Sequence, residues 1–180
     1  MEQIEIMRVS IENVRNLISN SIQLLRDTDL LLSQSGYYPL HGNTIGSETS
    51  KNMNQSAEQA GTFFPQYMSR YYTAEQGKAS STVLCVNIQF YHFNREALDP
   101  CIIAGVCSLK DESLSVQYWW LKYYAFEAST NFVADGSIFH DEDEEAAIDF
   151  WGENLALFTD NQVLQDKIVT RLLDMAKSAG

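Results

Sequence analysis

The sequence predicts an α+β fold, in which helices pack on an antiparallel β-sheet. Apolar residues recur at helical spacing over residues 2–33, and from residue 81 onward they alternate with a period of two. The connections between the alternating segments are too short for crossover helices, which indicates antiparallel neighbours. We therefore expect a meander of about four or five strands, followed by two C-terminal helices packed on the sheet.

The N-terminal segment predicts one long amphipathic helix with a heptad pattern. Ile4, Ile11 and Ile18 lie seven residues apart, and Leu25 and Leu32 continue the same spacing. A narrow repeat of this kind suits a partner helix, whereas the wider apolar stripe of the later turns suits burial on a domain. The second half is expected to dock on the sheet, while the first half either packs there too or projects toward another chain. The intervening core positions hold Met7, Val14, Ser21 and Thr28.

A long connection is predicted after this helix. Residues 34–61 are rich in Gly, Ser and Asn, a composition typical of loops, and loops of such length are usually functional or mobile. The aromatic-rich segment 62–73 has side chains four residues apart, which predicts a short helix that ties the loop to the core. The chain thus divides into an N-terminal helix (1–33), a polar loop with its aromatic tether (34–80), and a sheet with C-terminal helices (81–180), all within one domain.

Strand patterns occupy most of the region between residues 81 and 139. Residues 83–91 alternate as a half-buried strand, and residues 100–109 are apolar on both faces. The densest aromatic run, YWWLKYYAF at 118–126, predicts a central strand; a protein-binding patch is the alternative, and base stacking is disfavoured because Lys122 is its only cation. Asp135–Gly136 suits a two-residue hairpin turn that would pair Val133 with Ile138.

The charge of the chain argues against two classes of partner. The formal net charge is −12, and residues 81–180 contribute most of it, with sixteen acidic against six basic residues. Such a surface repels phosphate backbones and anionic lipid, so neither direct nucleic-acid binding nor membrane binding is expected. The three cysteines stand in apolar runs without a CxxC spacing, and no secretory signal or bilayer-length apolar run is visible. These observations predict a cytoplasmic protein with buried, reduced thiols.

The stretch HDEDEEAAIDFWGENLALF, residues 140–158, combines an acidic cluster with an apolar continuation. On a helix over residues 141–157, the apolar side chains form one stripe and the acidic ones the opposite stripe, and acids in a first turn are stabilised by the helix dipole. The alternatives are a carboxylate array for a basic partner and a metal site at His140 and Glu144, which lacks a second ligand pair. The acidic stripe consists of Glu142, Glu145, Asp149 and Glu153.

These features favour a non-enzymatic protein-binding module, such as an adaptor, an inhibitor or a complex subunit. Ile4, Ile11 and Ile18 are the expected apolar anchors, and the four acids of the stripe would steer a basic partner. Self-association through the helix is the other partner expectation. No nucleophile motif or phosphate-binding loop is present, so the sequence leans away from an enzyme, and neither a cofactor nor a metal is expected.

The alternative function is that of a small-molecule enzyme or sensor. Its pocket would lie between residues 36–75 and the aromatic sheet. Arg70 would hold an anionic group of the ligand, and Tyr71, Tyr91 and Glu127 would supply the polar contacts.

Overall fold

A computed structural model of the protein describes residues 3–47, 64–91, 98–117, 121 and 135–179. The predicted α+β class with an antiparallel sheet is confirmed, and the described residues form seven strands where four or five were expected. The elements are helix α1 (Gln3–Ser33), strands β1 (Tyr38–Pro39), β2 (Gly46–Ser47), β3 (Tyr67–Thr73), β4 (Thr82–Gln89), β5 (Cys101–Leu109), β6 (Phe139–Glu142) and β7 (Ala146–Asn154), and a C-terminal helix α2 over residues 161–179.

The sheet has the order β1-β3-β4-β5-β7-β6, and β2 also pairs with β3. Strands β3, β4 and β5 form a meander, of which only β4 and β5 were predicted as strands, and β7 lies between β5 and β6 because the β6–β7 hairpin pairs with β5 through its second strand. Gly105 faces Phe150 across β5 and β7. A Cβ atom at this glycine would lie 2.5 Å from the Phe150 Cβ, so only glycine fits this close approach of the two strands.

The helix predicted over residues 62–73 is wrong, because Tyr67–Thr73 form strand β3. A spacing of four residues is compatible with both periods: it places Tyr67 and Tyr71 on one face of a helix and also on one face of a strand. Every residue of β3 is buried, so no alternation of polar and apolar side chains could separate the two possibilities.

The helix predicted over residues 141–157 is also wrong. These residues form the β6–β7 hairpin, and the acidic cluster fills its exposed turn. The Asp143 Oδ1 accepts hydrogen bonds from the backbone N–H groups of Glu145 and Ala146, each at 2.8 Å, and this closes the turn. An acidic cluster that suggests the first turn of a helix thus serves a hairpin, because aspartate also stabilises tight turns.

The C-terminal end consequently contains one helix where two were predicted. Helix α2 is α-helical at Asn161–Leu164 and Thr170–Ala179 and π-helical at Gln165–Val169. Ahead of the aromatic run predicted as a strand, Glu112–Val116 form a 3₁₀ turn. Residues 118–120 and 122–134 lie outside the described residues, and with them Val133 of the proposed Val133–Ile138 pair.

The sheet separates two apolar clusters. Helix α2 and the second half of α1 cover one face, where Leu25, Leu32 and Ile168 are buried together with Trp151. The guanidinium of Arg171 lies 4.4 Å from the centre of the Trp151 ring, which adds a cation–π contact to this side. The opposite cluster contains the three cysteines together with Leu40, Leu121 and Phe150.

Candidate functional site

The two halves of α1 lie in opposite environments. Residues 3–16, which we call the arm, are exposed except for Glu5, and burial on the sheet begins at Leu17. Ile4 is 76% exposed, Ile11 60% and Met7 59%. Large apolar side chains rarely stand this open in such a group unless they serve an interface. The further exposed apolar residues of the arm are Ile6, Val9 and Val14.

The apolar stripe of the arm is a direct continuation of the buried stripe. Ile4, Ile11 and Ile18 precede Leu25 and Leu32 at heptad spacing, so all five lie along one side of the helix. Leu25 and Leu32 are buried on the sheet, and Ile18 packs against the same cluster. The arm therefore runs past the sheet and turns toward solvent the same side that its second half buries.

At the intervening core positions, the apolar side chains are exposed and the polar side chains are buried. Met7 and Val14 are exposed, whereas Ser21 and Thr28 are 3% and 0% exposed. The two buried hydroxyls donate hydrogen bonds to the carbonyls of Leu17 and Leu24, each at 2.8 Å, and so carry no unsatisfied polar group into the core. At these intervening positions, the apolar side chains are thus the ones that the domain leaves uncovered.

A cavity of about 490 Å³ lies where the arm leaves the domain. One wall is the middle of α1, and the other is the end of the sheet where β7 leads into a 3₁₀ turn at Leu155–Leu157. We call this cavity, together with the open space beneath the arm, the notch. Its lining residues are Leu17, Asn20, Ser21, Leu24, Asp99, Pro100, Asn154, Leu155, Ala156 and Phe158.

The four acids predicted as one stripe are divided among separate contacts. Asp149 accepts from the Nδ1 of His140 at 2.7 Å, which raises the pKa of that histidine, and Glu142 lies 3.3 Å from the Nζ of Lys110. Glu153 is buried and lies 3.5 Å from the Nζ of Lys167, while Glu145 is exposed in the hairpin turn. His140 is therefore paired with Asp149 and not with Glu144, as the metal alternative required.

A second polar arrangement lies between α1 and β3. Arg70 is 5% exposed, and its Nε and Nη2 atoms donate to the two carboxylate oxygens of Asp29, the Nε bond at 3.1 Å. Its Nη1 donates to the carbonyl of Thr44 at 3.0 Å, and the hydroxyl of Tyr72 donates to Asp29 at 2.9 Å. Burial and the neighbouring Asp29 carboxylate both raise the pKa of Tyr72. The sequence analysis singled out Arg70 but missed Asp29.

Two of the other residues of the predicted pocket, Tyr71 and Tyr91, lie away from Arg70. Tyr71 projects to the opposite face of the sheet, where it lies in the cysteine cluster. Tyr91 donates from its hydroxyl to the carbonyl of Phe64 at 3.0 Å, beyond the end of β4. Glu127 lies outside the described residues.

The described residues hold little that resembles catalytic chemistry. All three cysteines are buried thiols; burial raises the pKa of Cys85 well above its usual range and that of Cys107 to about 12. Thiols of this kind are poor nucleophiles at neutral pH. Within the described part of the chain, no three His, Cys, Asp or Glu side chains are grouped so that they could hold a metal ion, and no helix is long and apolar enough to span a bilayer.

No protein-family model matches the chain, and no curated protein or solved structure matches it.

Proposed function

We propose that the protein is a protein-association module that acts through the arm. The observation that carries this proposal is the reversed order of polarity along α1, with Met7 and Val14 in water and Ser21 and Thr28 in the core. Full burial of one large apolar side chain contributes about 1.5 to 3 kcal/mol. The four exposed stripe residues of the arm would therefore gain several kcal/mol from a partner that covers them.

The occupant that fits the exposed stripe of the arm best is the arm of a second copy of this chain. The arm is about 21 Å long, from fourteen residues at about 1.5 Å each. A parallel second helix would run into the sheet, because the exposed stripe continues onto the face that the sheet covers. An antiparallel arm would not meet this obstacle, because the sheet of the second copy would lie beyond the N-terminal end of the first copy's arm.

The stripe residues also match one another under a two-fold axis. With the axis at position 9, Ile4 faces Val14 of the second copy and Met7 faces its Ile11, and each pair occurs twice by symmetry. All four exposed stripe residues are then covered. The arm is electrically neutral, with Glu5 and Glu12 against Arg8 and Arg15, and the Arg8 Nη2 already lies 2.6 Å from a carboxylate oxygen of Glu5. Pairing of two arms therefore places no net charge in the contact.

The predicted electrostatic contact with a basic partner remains a separate prediction. The hairpin turn that carries Glu145 and the notch beside Asn154 lie at opposite ends of β7, about 27 Å apart for nine strand residues. A basic partner would therefore bind the acidic turn at a surface of this chain that is separate from the notch.

Sedimentation equilibrium of three proteins tests the proposed association. The wild-type chain is expected to dimerise, and Met7→Glu/Ile11→Glu is expected to be monomeric, because charged groups at the pair's centre lack a partner. The matched control, Asn13→Glu/Asn16→Glu, adds the same charge on the far side of the arm and should remain dimeric. A monomeric wild type would overturn the second-copy assignment, and a stoichiometric partner lost only from the Met7→Glu/Ile11→Glu variant would replace it with a different protein.

The dependence of association on salt separates the two surfaces. Two copies that each carry −12 repel one another at low ionic strength, so added salt should tighten the dimer. Binding of a basic partner to the acidic turn should weaken under the same change. A dimer that dissociates as salt rises would contradict association through the neutral arm.

A further inference from the structure

A cavity of about 390 Å³ between α1 and the segment before β2 has the composition of a ligand site. Its polar lining consists of Arg26, Arg70, Asp29 and Asn43, and its apolar walls are Ile22, Leu25 and Ile45. Apolar walls with a few convergent polar groups are the usual make-up of small-molecule pockets. This cavity does not belong to the notch, and no stripe residue of the arm lines it.

Arg70 is held ready for a ligand. Its guanidinium has five N–H groups, of which Asp29 and the Thr44 carbonyl take three. The hydroxyl of Tyr72 also interacts with the guanidinium, so Arg70 is held from several sides within the wall of the cavity. Because the bidentate contact with Asp29 fixes the plane of the group, a ligand would not have to order it.

Arg26 supplies the positive charge of the cavity. It stands one helical turn from Asp29 on α1, is exposed, and has neither an ion pair nor a hydrogen bond with any residue that the structure describes. Arg26 and Arg70 against Asp29 leave a net charge of +1 in a chain whose total is −12. The Asn43 amide, also exposed, adds a neutral donor at the same rim.

We infer that this cavity binds a small monocarboxylate with an apolar body. One negative charge balances the site, whereas a dianionic phosphate would place excess charge beside the Asp29 carboxylate. The carboxylate would accept from Arg26 and from the Asn43 amide, and the fixed guanidinium of Arg70 would add its positive charge beside it. Its apolar body would lie against Ile22, Leu25 and Ile45, in a pocket whose volume is in the usual range for small ligands.

The test is an NMR titration of the ¹⁵N-labelled protein with hexanoate, compared with acetate, hexan-1-ol and inorganic phosphate. Hexanoate is expected to bind with saturable shifts at Arg70 and Ile45. The other three should bind more weakly, because acetate lacks the apolar chain, hexan-1-ol lacks the negative charge, and phosphate lacks the single charge. Arg26→Gln should weaken hexanoate binding about tenfold or more, the usual effect of losing a hydrogen bond to a charged group.

Arg15→Gln is the matched control, since it removes an exposed arginine of the same helix far from the cavity. Equal hexanoate affinity in Arg26→Gln and Arg15→Gln, or no saturable shift at Arg70, would overturn the assignment. Saturation by phosphate without saturation by hexanoate would overturn the ligand class. The Met7→Glu/Ile11→Glu variant should bind hexanoate normally, so failure here and failure of the proposed association are distinguishable.

Discussion

The two halves of α1 have the same heptad pattern and opposite surroundings. In the second half, Leu25 and Leu32 stabilise the domain, and small hydroxyl residues between them let the helix approach the sheet closely. In the arm, isoleucine and methionine in the same heptad stripe are largely exposed. The comparison shows that residues which stabilise a fold and residues which attract a partner can have the same pattern. The two groups differ only in where they lie relative to the sheet: the second half of α1 lies over the sheet, and the arm extends past its end.

Truncating one apolar residue in each half gives the largest expected contrast in the stability of the domain. Leu25→Ala should lower the free energy of unfolding by about 2 to 5 kcal/mol, the range for leucine removed from a packed core. Ile11→Ala should leave the unfolding of the monomer unchanged and weaken the dimer. Urea denaturation at low protein concentration, where the monomer dominates, checks both variants. A similar destabilisation by Ile11→Ala would show that the arm packs on its own domain.

Exchanging polarity between the halves has a smaller expected effect. Val14→Thr places a hydroxyl in the proposed dimer contact and should weaken association, while the far-side control Asn13→Thr should not. Thr28→Val removes one hydrogen-bonded hydroxyl from the core and should change stability by no more than about 1.5 kcal/mol. Sedimentation measures the first effect and urea denaturation the second. Unchanged association of Val14→Thr would remove Val14 from the contact.

The smallest expected effect concerns two histidines far from the arm. The hydrogen bond to Asp149 raises the pKa of His140 above 6.5, and burial lowers the pKa of His41 below it. Protonated His140 therefore adds stability below pH 6.5, and this contribution is lost as the pH rises through its raised pKa. NMR titration should show the two values on opposite sides of 6.5, and Asp149→Asn should return His140 toward it. An unshifted His140 in the wild type would contradict the pair with Asp149.

The sequence predicted the fold best where one period dominated. The heptad of α1 and the alternation of β4 identified both elements, because each pattern matches a single backbone geometry. The helix predictions for residues 67–73 and 146–154 were wrong for a common reason. Strand β3 is buried at every position, and β7 buries large side chains on both faces at Phe150 and Trp151, so neither shows a clean period of two, and a chance spacing of four suggested helices.

The candidate sites were predicted only in part. Arg70 was selected as an anion ligand, but its fixed geometry depends on Asp29, forty-one residues away, a contact that no local pattern contains. One signal was present in the sequence. Asp29 follows Leu25 by four residues and so lies on the buried side of α1, where a carboxylate requires a cationic partner. The four acids do not form one helical stripe, because the residues that were expected to form the helix form a β-hairpin instead.

The most direct test of the account is disulfide formation between arms. Met7→Cys and Ile11→Cys, one of them mass-labelled, are mixed and oxidised under native conditions, in which the native thiols are buried. Antiparallel pairing about position 9 brings residue 7 of one copy opposite residue 11 of the other, and disulfides require Cα atoms within about 7 Å. The account predicts that the mixed 7–11 disulfide forms faster than either homodisulfide. Preferential 7–7 and 11–11 disulfides, or no cross-linked dimer, would contradict it.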